Sequence, residues 1–564
     1  MLGVASRIAF AVLACGFAAV DAAKSNDGAG LFVEESQARG LLFSHHNGMT
    51  GALYMPETVG AGVAVLDYDQ DGDLDVLLVQ GGDFLPSRVG GDRARLFQNR
   101  LAEDGSLGFV EAPGNGGLDG GGYGMGVATG DFDNDGRIDL YLANFGANQL
   151  WRNAGAGRFV DVTAASGTGD ASWSVAATFV DVDRDGWLDL FVANYLDFRF
   201  EIHKVCRMAS GAPDYCGPSS YAPVADRLYR NRGDGTFEDV TTRSGIHRLR
   251  GAGLGVVALD ADDDGWIDLY VANDQEPNFL WRNRGDGTFE DVALLAGCAV
   301  DAAGRPEASM GVDAADFDAD GDLDLVLSHL TGETHTLYRN EGGGLFRDVT
   351  VEVGLAEPTL EATGFGAGFL DVDNDGSLDL LVVNGAVRKL EALVRQGDPY
   401  PLRQRPQLFR NLGAGRFVEA SEAAGAAFER AEVGRGAAFG DLDNDGDTDV
   451  VVANNQGPAR LLINTTGSRK HWLGLEVLVG SPARHALGAV VTVERAAHTP
   501  RAARVATDGS YASARDPRVL FGLGDDPAAP RVRVRYADGA VEEWRGLAID
   551  RYTTLVRGTG SAAR

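Results

Sequence analysis

The chain has 564 residues and a formal net charge of −32, with 82 acidic against 50 basic side chains. Such an excess of negative charge repels a phosphate backbone, so the composition argues against nucleic acid as a partner. Beyond the N-terminal apolar segment, no stretch is long and apolar enough to span a bilayer, which excludes an integral helical membrane protein.

The first 23 residues have the features of an export signal. Arg7 precedes an apolar run over residues 8–20, and Val20-Asp21-Ala22 forms a small-residue cleavage site. In an alternative interpretation, Val12-Leu13-Ala14-Cys15 is a lipobox, and a lipid on Cys15 tethers the protein to a bacterial membrane. The sequence therefore predicts an extracellular, periplasmic or cell-surface protein that is either free or anchored through Cys15.

The adjacent pair His45-His46 stands shortly before the first acidic loop. One interpretation makes it a metal-binding or acid–base pair at the mouth of the fold. The other makes it a hydrogen-bonding anchor for the N-terminal segment. Because no catalytic constellation accompanies the pair, we favour the anchoring role.

Seven loops share the pattern Asp-x-Asp-x-Asp-Gly-x-x-Asp without a substitution at the fixed positions; we number them loops 1 to 7 in chain order. The spacing is typical of a calcium site, because Ca²⁺ takes six to eight oxygen ligands and Gly at position 6 lets the backbone turn around the ion. The side chain at position 7 varies, so a backbone carbonyl is expected to bind there. The predicted ligands are the carboxylates at positions 1, 3, 5 and 9, namely Asp67, Asp69, Asp71 and Asp75; Asp131, Asp133, Asp135 and Asp139; Asp181, Asp183, Asp185 and Asp189; Asp260, Asp262, Asp264 and Asp268; Asp316, Asp318, Asp320 and Asp324; Asp371, Asp373, Asp375 and Asp379; and Asp441, Asp443, Asp445 and Asp449.

These loops are not EF-hands. An EF-hand loop lies between helices and ends on Glu at position 12, whereas position 12 here is an apolar residue such as Leu78 or Val192. Short apolar runs follow the loops, as at residues 74–79 and 188–193, and similar runs precede them. Such runs are typical of buried strands. Each loop is therefore predicted to connect two strands.

A second element follows each loop, seen most clearly over residues 278–292. It consists of an apolar strand, a Gly-rich turn and another strand that opens with Phe289. Comparable stretches occupy residues 149–163, 227–241, 336–350 and 407–420, with a degraded one at 96–111. Four short strands per repeat, with loop starts 50 to 79 residues apart, are typical of propeller blades.

The two ends of the array predict a closed ring. After loop 7 the chain offers a strand at residues 460–464 but no following strand of the Phe type, while residues 26–36 parallel residues 411–421 almost position by position. The N-terminal strand is therefore predicted to complete the last blade, which removes the open sheet edges. The expected fold is all-β, with a seven-bladed propeller over residues 24–466 and a small all-β domain over residues 467–564.

Three other features have predicted roles. Cys206 and Cys216 flank an insertion. Because the predicted export signal places the protein in an oxidising compartment, we expect them to form a disulfide. Cys298 lies in an apolar run and is expected to be a buried small hydrophobe. Trp187 and Trp266, at loop position 7, form either an exposed aromatic platform or the packing between adjacent blades.

Several segments carry a resemblance to a known family: residues 56–64, 215–218 and 301–313, and in the tail His471-Trp472-Leu473, Gly509-Ser510-Tyr511 and Asp516-Pro517-Arg518. The blade signature resembles the FG-GAP/VCBS repeats of integrin α-subunit propellers. The whole chain resembles secreted proteins of the cartilage acidic protein type, whose C-terminus carries an ASPIC/UnbV domain. The resemblance implies a secreted calcium-binding propeller without an established catalytic centre.

The sequence contains no G-x-S-x-G, H-E-x-x-H or phosphate-loop motif. We therefore expect a non-enzymatic monomer with about seven structural Ca²⁺ ions, which acts as an extracellular binding or adhesion scaffold for a protein or glycan. The alternative is a carbohydrate-active or other hydrolytic enzyme, whose site would lie between the insertions at residues 198–225 and 387–405.

Overall fold

A computed structural model describes residues 30–413, 415–496 and 498–562. The predicted export signal at residues 1–23, Cys15 of the lipobox and the first residues of the predicted closing strand lie outside the described residues. Within these residues, no helix is both long enough and apolar enough to cross a bilayer.

Seven four-stranded antiparallel sheets make up most of the described chain, and each is one blade of a propeller. From the innermost strand outward, blades 1 to 4 consist of Val63–Leu66, Asp75–Leu78, Arg95–Asn99 and Phe109–Glu111; Gly124–Gly130, Asp139–Asn144, Gln149–Asn153 and Phe159–Asp161; Ser174–Val180, Asp189–Asn194, Arg227–Asn231 and Phe237–Asp239; and Gly253–Leu259, Asp268–Asn273, Phe279–Asn283 and Phe289–Asp291.

Blades 5 to 7 follow the same order, except that the outermost strand of blade 7 comes from the N-terminal end of the chain. Their strands are Val312–Ala315, Asp324–Leu327, Thr336–Asn340 and Phe346–Asp348; Gly364–Leu370, Asp379–Asn384, Gln407–Asn411 and Phe417–Glu419; and Gly434–Gly440, Asp449–Asn454, Arg460–Asn464 and Phe32–Glu34. Most innermost strands are buried along their whole length, because both of their faces pack against neighbouring strands.

The ring closes where the two ends of the array meet. Phe32–Glu34 pairs antiparallel with the third strand of blade 7, with Phe32 opposite Asn464. The innermost strand of each blade contacts that of the next, and the innermost strand of blade 7 contacts that of blade 1. The predicted all-β propeller is therefore confirmed, and the predicted closing strand is present over Phe32–Glu34.

The helices of the described chain are one or two turns long and lie between strands. The α-helices are Leu101–Asp104, Thr163–Ser166, Thr241–Ser244, Ala293–Ala296, Thr350–Val353, Ala356–Thr359, Glu391–Arg395 and Ser421–Ala424. The 3₁₀ turns are Met55–Thr58, Pro113–Gly117, Phe200–Ile202, Pro218–Ser220, Ile246–Arg248, Ala426–Glu429 and Gly467–Arg469. Two small hairpins, Gly82–Leu85 with Arg88–Gly91 and Cys206–Arg207 with Pro213–Asp214, complete the propeller half of the chain.

The C-terminal residues form two further sheets around one apolar core. The first contains Arg484–His485, His471–Val479 and Val519–Gly524, with Tyr552–Val556 parallel to His471–Val479. The second orders its strands as Arg501–Arg504, Val490–Glu494, Arg531–Arg535, Val541–Arg545 and Ser561–Ala562.

Residues 505–518, which we call the plug segment, leave these two sheets and enter the centre of the propeller. Backbone hydrogen bonds join it to the innermost strands of four blades, in the pairs Ser510 with Val312, Ala512 with Val127, Ala514 with Val63 and Val65, and Asp516 with Phe439. Asp508 accepts hydrogen bonds from blades 3 and 4, and Tyr511 packs on Phe365 of blade 6. The plug segment therefore touches all seven blades.

The plug segment approaches so closely that Gly62, just before the innermost strand of blade 1, has no room for a side chain. A Cβ added at Gly62 would lie 2.3 Å from the carbonyl oxygen of Ala512. Glycine is required there because any larger residue would push the plug segment out of the channel.

The opposite end of the channel is closed by a cap, which we define as residues 45–60, 198–225 and 387–405. Phe198, Tyr221, Tyr400 and Leu402 of the two predicted insertions are buried inside the cap rather than exposed around a cleft. The insertions therefore form packed structure over the channel.

Candidate metal centres

The acidic loops connect the first and second strands of each blade, at the end of the propeller that faces the C-terminal sheets. The predicted positive φ at position 6 is present in every loop, with values between +86° and +102°. Position 4 is also left-handed in every loop, with φ between +51° and +66°, although it is never glycine. Four of these residues are Asn or Asp, which tolerate this conformation, so the signal was present in the sequence but was missed.

Hydrogen bonds inside each loop turn the carboxylates toward one another. In loop 2, Asp131 accepts from the backbone N–H groups of Asp135 and Gly136 at 3.0 and 2.8 Å. Asp135 in turn accepts from the N–H of Arg137 at 3.0 Å. The bond from position 7 to position 5 recurs in all seven loops.

Carboxylate oxygens converge in these loops. In loops 1 to 4, oxygens from three Asp residues lie within 4.8 Å of one another. In five loops the position 3 carboxylate also has one buried oxygen without a hydrogen-bond partner among the described residues, at Asp69, Asp133, Asp318, Asp373 and Asp443. A buried acceptor without a donor is costly, so each of these oxygens has room for a further partner, which a cation could supply.

Asp at position 9 has a structural role that the sequence analysis did not foresee. In loop 5, Asp324 accepts backbone N–H groups with both oxygens, from Phe317 at 3.2 Å and from Asn340 at 2.8 Å. The same pair of bonds recurs in the other six loops. Position 9 therefore ties the loop to the end of the third strand of its own blade.

The Asn at the end of that third strand links adjacent blades, and it too was missed. Its side-chain amide donates to a backbone carbonyl at position 2 of the preceding loop, as Asn340 does to Ala261 at 3.0 Å. The link recurs around the whole ring, from Asn99, Asn153, Asn231, Asn283, Asn411 and Asn464. In the sequence, the Asn that recurs at the end of the second strand after each loop could have indicated this link.

Burial and mutual repulsion make these carboxyl groups weak acids in the absence of a cation. Burial, opposed in part by backbone hydrogen bonds, raises the pKa of Asp189 to about 8 and of Asp324 to about 9. Burial and the neighbouring Asp445 raise the pKa of Asp447 to about 8. A divalent cation would remove this penalty by favouring the ionised form.

Basic side chains divide the loops into two groups. In loop 3, Arg230 contacts Asp183 and Asp185 at 2.5 and 2.9 Å, and in loop 6 Arg410 contacts Asp373 at 2.7 Å. The equivalent strand positions beside loops 1 and 7 hold Gln98 and Ile463. Loops 1 and 7 therefore keep five carboxylates each without an arginine from that strand.

The C-terminal sheets contact several loops directly. Arg535 forms an ion pair with Asp260 of loop 4 at 2.7 Å. Arg484 donates to the carbonyl of Gly186 in loop 3 at 2.8 Å, and Tyr552 donates to Asp441 of loop 7 at 3.0 Å. Loop conformation and domain packing are thus coupled.

The remaining predicted residues have structural positions. Cys206 and Cys216 form the predicted disulfide. His45 is buried and accepts a hydrogen bond from the backbone N–H of Gln456 in blade 7, as the anchoring role predicts. Trp266 stacks under Arg184 of the neighbouring blade, with the guanidinium 3.9 Å from the ring centroid.

Comparisons with known proteins find relatives that align with most of the chain. Cartilage acidic protein 1 of Homo sapiens is 28% identical over 505 residues, which cover 86% of this chain and 70% of that protein. The Xenopus tropicalis protein of the same name is 27% identical over 501 residues, covering 86% and 71%. Among solved structures, the BP39L lectin from Burkholderia pseudomallei aligns with a TM-score of 0.42 and 11% identity, covering 73% of this chain and 97% of that one.

Two protein families match the chain itself. The FG-GAP-like repeat family matches residues 67–142, 131–192, 210–271, 260–327 and 392–469, which together are more than half of the chain. The ASPIC and UnbV family matches residues 480–562. The chain therefore belongs to the FG-GAP-like repeat family and carries an ASPIC and UnbV domain after its repeats.

Proposed function

We propose that the seven loops bind calcium and that the ions hold the propeller rigid. The observation that carries this proposal is the buried, unpartnered carboxylate oxygen at position 3, which recurs in five loops. All candidate ligands in the loops are oxygen atoms, the type that Ca²⁺ prefers. The residues present therefore fit calcium, with Asp at positions 1, 3 and 5 and the backbone carbonyl at position 7 as ligands.

In this proposal position 9 serves the ion and the fold together. Each oxygen of Asp324 already accepts one backbone N–H, and a carboxylate oxygen has a second lone pair for a cation. Asp at position 9 therefore remains a proposed calcium ligand, and it also hydrogen-bonds the loop to the third strand of its blade.

The loops should differ in affinity. Calcium must compete with Arg230 in loop 3 and Arg410 in loop 6, whereas no basic side chain of the described residues forms an ion pair with a carboxylate of loop 1 or loop 7. We therefore expect loops 1 and 7 to bind most tightly.

The energetic effect is large because there are seven sites. Extracellular modules hold Ca²⁺ with Kd on the order of 10⁻⁴–10⁻³ M. At millimolar calcium each such site contributes roughly 0.4–1.4 kcal/mol by mass action. Their sum is comparable to the ~5–15 kcal/mol by which a typical protein is stable.

Melting of the full chain in calcium and in excess EGTA tests this proposal. We expect Tm to fall by several degrees in EGTA and to recover with calcium. Magnesium should restore less, because it prefers octahedral geometry and keeps its water ligands. An unchanged transition in EGTA would refute a structural role for calcium.

We further propose that the protein is an extracellular calcium-dependent scaffold for a protein or glycan. The disulfide supports an oxidising compartment. We place the binding surface on the cap. The cap is the part of the propeller that departs from the repeat, and the opposite face is covered by the C-terminal sheets.

The alternative, a hydrolytic enzyme, required the two insertions to form the walls of a site. Phe198, Tyr221, Tyr400 and Leu402 of these insertions are instead buried in the cap, which favours binding over catalysis. A capture experiment with the calcium-loaded full chain, on extracellular proteins and glycan arrays, should yield a partner that cap mutations release. Turnover in a glycoside and ester screen, lost on mutation of either insertion, would favour the enzyme instead.

A further inference from the structure

The cap carries more positive than negative side chains, although the chain as a whole is strongly acidic. Its three segments contain eight Lys and Arg residues and five Asp and Glu residues, against 50 and 82 in the whole chain. A local excess of positive charge on an acidic protein attracts and orients an anionic partner. The charge of the cap therefore bears on what the cap can bind.

Most acidic side chains of the cap are buried or already paired. Glu57 and Asp214 are 0% and 4% exposed. Glu391 and Asp398 each form an ion pair with an arginine of the cap. Within the described chain, Glu201 is thus the one exposed carboxylate of the cap that has no ion pair.

Four basic side chains of the cap surround a single stretch of chain, residues 211–220. We call them the basic cluster, and they are Lys204, Arg207, Arg388 and Lys389. Three of them donate to backbone carbonyls of this stretch at distances of 2.6 to 3.0 Å: Lys204 to Ser220, Arg207 to Gly211 and Lys389 to Pro213. The fourth, Arg388, lies so close to Gly217 that a Cβ added there would be 3.0 Å from its Nη2.

The positive charge of the basic cluster is not neutralised. Three of its side chains are exposed and Lys389 is half-buried, and their partners are neutral carbonyls, so most of their donors remain free. Among the residues that the structure describes, no carboxylate forms an ion pair with any of the four. Asp214, in the same hairpin, is buried and accepts the backbone N–H groups of Tyr215 and Lys389. Burial raises the pKa of Asp274, a blade 4 carboxyl near Arg388, to about 7, so it offsets at most part of that charge at neutral pH.

Aliphatic side chains are exposed beside the basic cluster. Ile202 and Val205, on either side of Lys204 in the chain, are 37% and 52% exposed. Phe198 and Tyr221 of the same insertion are buried and offer no ring that could stack on a sugar. Protein interfaces combine apolar contacts with a polar rim in which Arg is common. This surface therefore fits a protein segment better than a polysaccharide.

We propose that the basic cluster docks an acidic segment of a partner protein, one in which aliphatic residues are interspersed among Asp and Glu. Clustered arginines recognise acidic motifs in this way, because their N–H groups match the oxygens of a carboxylate. The aliphatic residues of the segment pack on Ile202 and Val205. The inference rests on the proposed scaffold role and adds to it the chemistry of the partner.

Fluorescence anisotropy on the calcium-loaded full chain tests this inference, with a labelled peptide in which Leu follows every third Glu as the probe. The double variant Arg207→Gln, Lys389→Gln removes two charges but keeps side-chain donors, and it should weaken binding about fivefold. Binding should also weaken as salt is added, since the charges are exposed. Val205→Ser should weaken this peptide but not a counterpart that has Ser in place of Leu.

The matched control is the double variant Arg158→Gln, Arg416→Gln. Both arginines are exposed and lie in turns between third and fourth strands, at the end of the propeller opposite the cap, and neither has an ion pair within the described chain. The control should bind the peptide as the wild type does. If the cluster variant does not fold, Lys204→Gln with Arg388→Gln provides the same test.

Equal binding by the cluster variant and the control would overturn the inference. So would tighter binding of chondroitin sulfate than of the peptide at equal negative charge, which would identify a glycan site, or a dimer of this chain that the cluster variant dissociates. The capture experiment separates this inference from the scaffold role. A partner that other cap mutations release but the cluster variant retains would leave the scaffold role intact and overturn only the part assigned to the basic cluster.

Discussion

At the scale of single residues, the acidic side chains of one loop divide into two kinds. Asp324 at position 9 has a backbone donor for each oxygen, so it would hold its place without a cation. Asp318 at position 3 has Arg339 3.9 Å from one oxygen, while its other oxygen is buried with no donor among the described residues and is free to bind a cation. The sequence shows the same amino acid at both positions.

This division predicts different effects for two substitutions in loop 5. Asp324→Ala leaves two buried N–H groups unpaired and should cost about 2–6 kcal/mol even in EGTA, from ~1–3 kcal/mol for each group, with a further loss in calcium because position 9 is also a proposed ligand. Asp318→Ala should lower stability only when calcium is present. Urea unfolding of both variants in calcium and in EGTA measures the difference. Equal losses for Asp318→Ala in the two buffers would contradict the assignment.

Away from the loops, Asp274 is a buried carboxyl group that accepts a hydrogen bond from Tyr195. Burial raises its pKa to about 7, against an ordinary value of 3.8. The folded state therefore favours the protonated form. Its contribution to stability is complete below pH 4 and is lost as the pH rises through 7.

Asp274→Asn should remove this dependence, because an amide can still accept from Tyr195 and does not ionise. Relative to the wild type, the variant should gain stability between pH 5 and pH 8, measured by urea unfolding in saturating calcium. A constant difference between the two proteins across that range would show that Asp274 does not titrate on folding.

At the level of single residues, the sequence predicted the role of the loop glycines but not that of the Asn residues that link adjacent blades. Gly at position 6 was predictable because it recurs and because a tight turn requires φ > 0. Asn340 and its six counterparts were not recognised, because their role depends on a carbonyl of the preceding blade some 79 positions away. Such a contact leaves no local pattern beyond the recurrence itself.

At the scale of elements, the blade is well specified by local sequence. Alternation, Gly-rich turns and the recurring Phe of the fourth strand predicted the hairpins close to their observed bounds. The insertions behaved differently. The sequence marked them only as insertions, and the structure alone revealed that Phe198 and Tyr221 pack together inside the cap.

The cap depends on its disulfide. Cys206 and Cys216 are separated by 10 positions, and loss of a cross-link over so short a loop should cost roughly 2–3 kcal/mol. The double variant Cys206→Ser, Cys216→Ser should lose this amount in urea unfolding under oxidising conditions. With reductant present, variant and wild type should differ much less. A variant as stable as the oxidised wild type would contradict a stabilising role.

At the scale of the whole molecule, two elements hold the ring of blades together, one at its outer edge and one in its central channel. The closing strand Phe32–Glu34 joins the two ends of the array, and the plug segment reaches every innermost strand. Sequence reasoning predicted the first of these, because residues 26–36 repeat the pattern of 411–421. The second could not be predicted, because the plug segment pairs with residues from 63 to 439 and no repeat marks it.

The plug segment should couple the stability of the two parts of the chain. Tyr511 is fully buried against Phe365, and its hydroxyl donates to the carbonyl of Val59 at 3.0 Å. Tyr511→Ala should cost about 3–5 kcal/mol, as for other large aromatic truncations. Tyr511→Phe, the control, should lose only about 1 kcal/mol for the hydrogen bond. Similar stabilities of the two variants would show that the channel does not rely on this side chain.

The central claim is that calcium occupies the acidic loops and holds the ring together. Anomalous scattering at long wavelength, from crystals of the full chain grown in millimolar calcium, tests it most directly. We predict an anomalous peak in each of the seven loops, about 2.3–2.6 Å from the carboxylate oxygens of positions 1, 3 and 5. Loops that contain only water or arginine nitrogens under those conditions would contradict it.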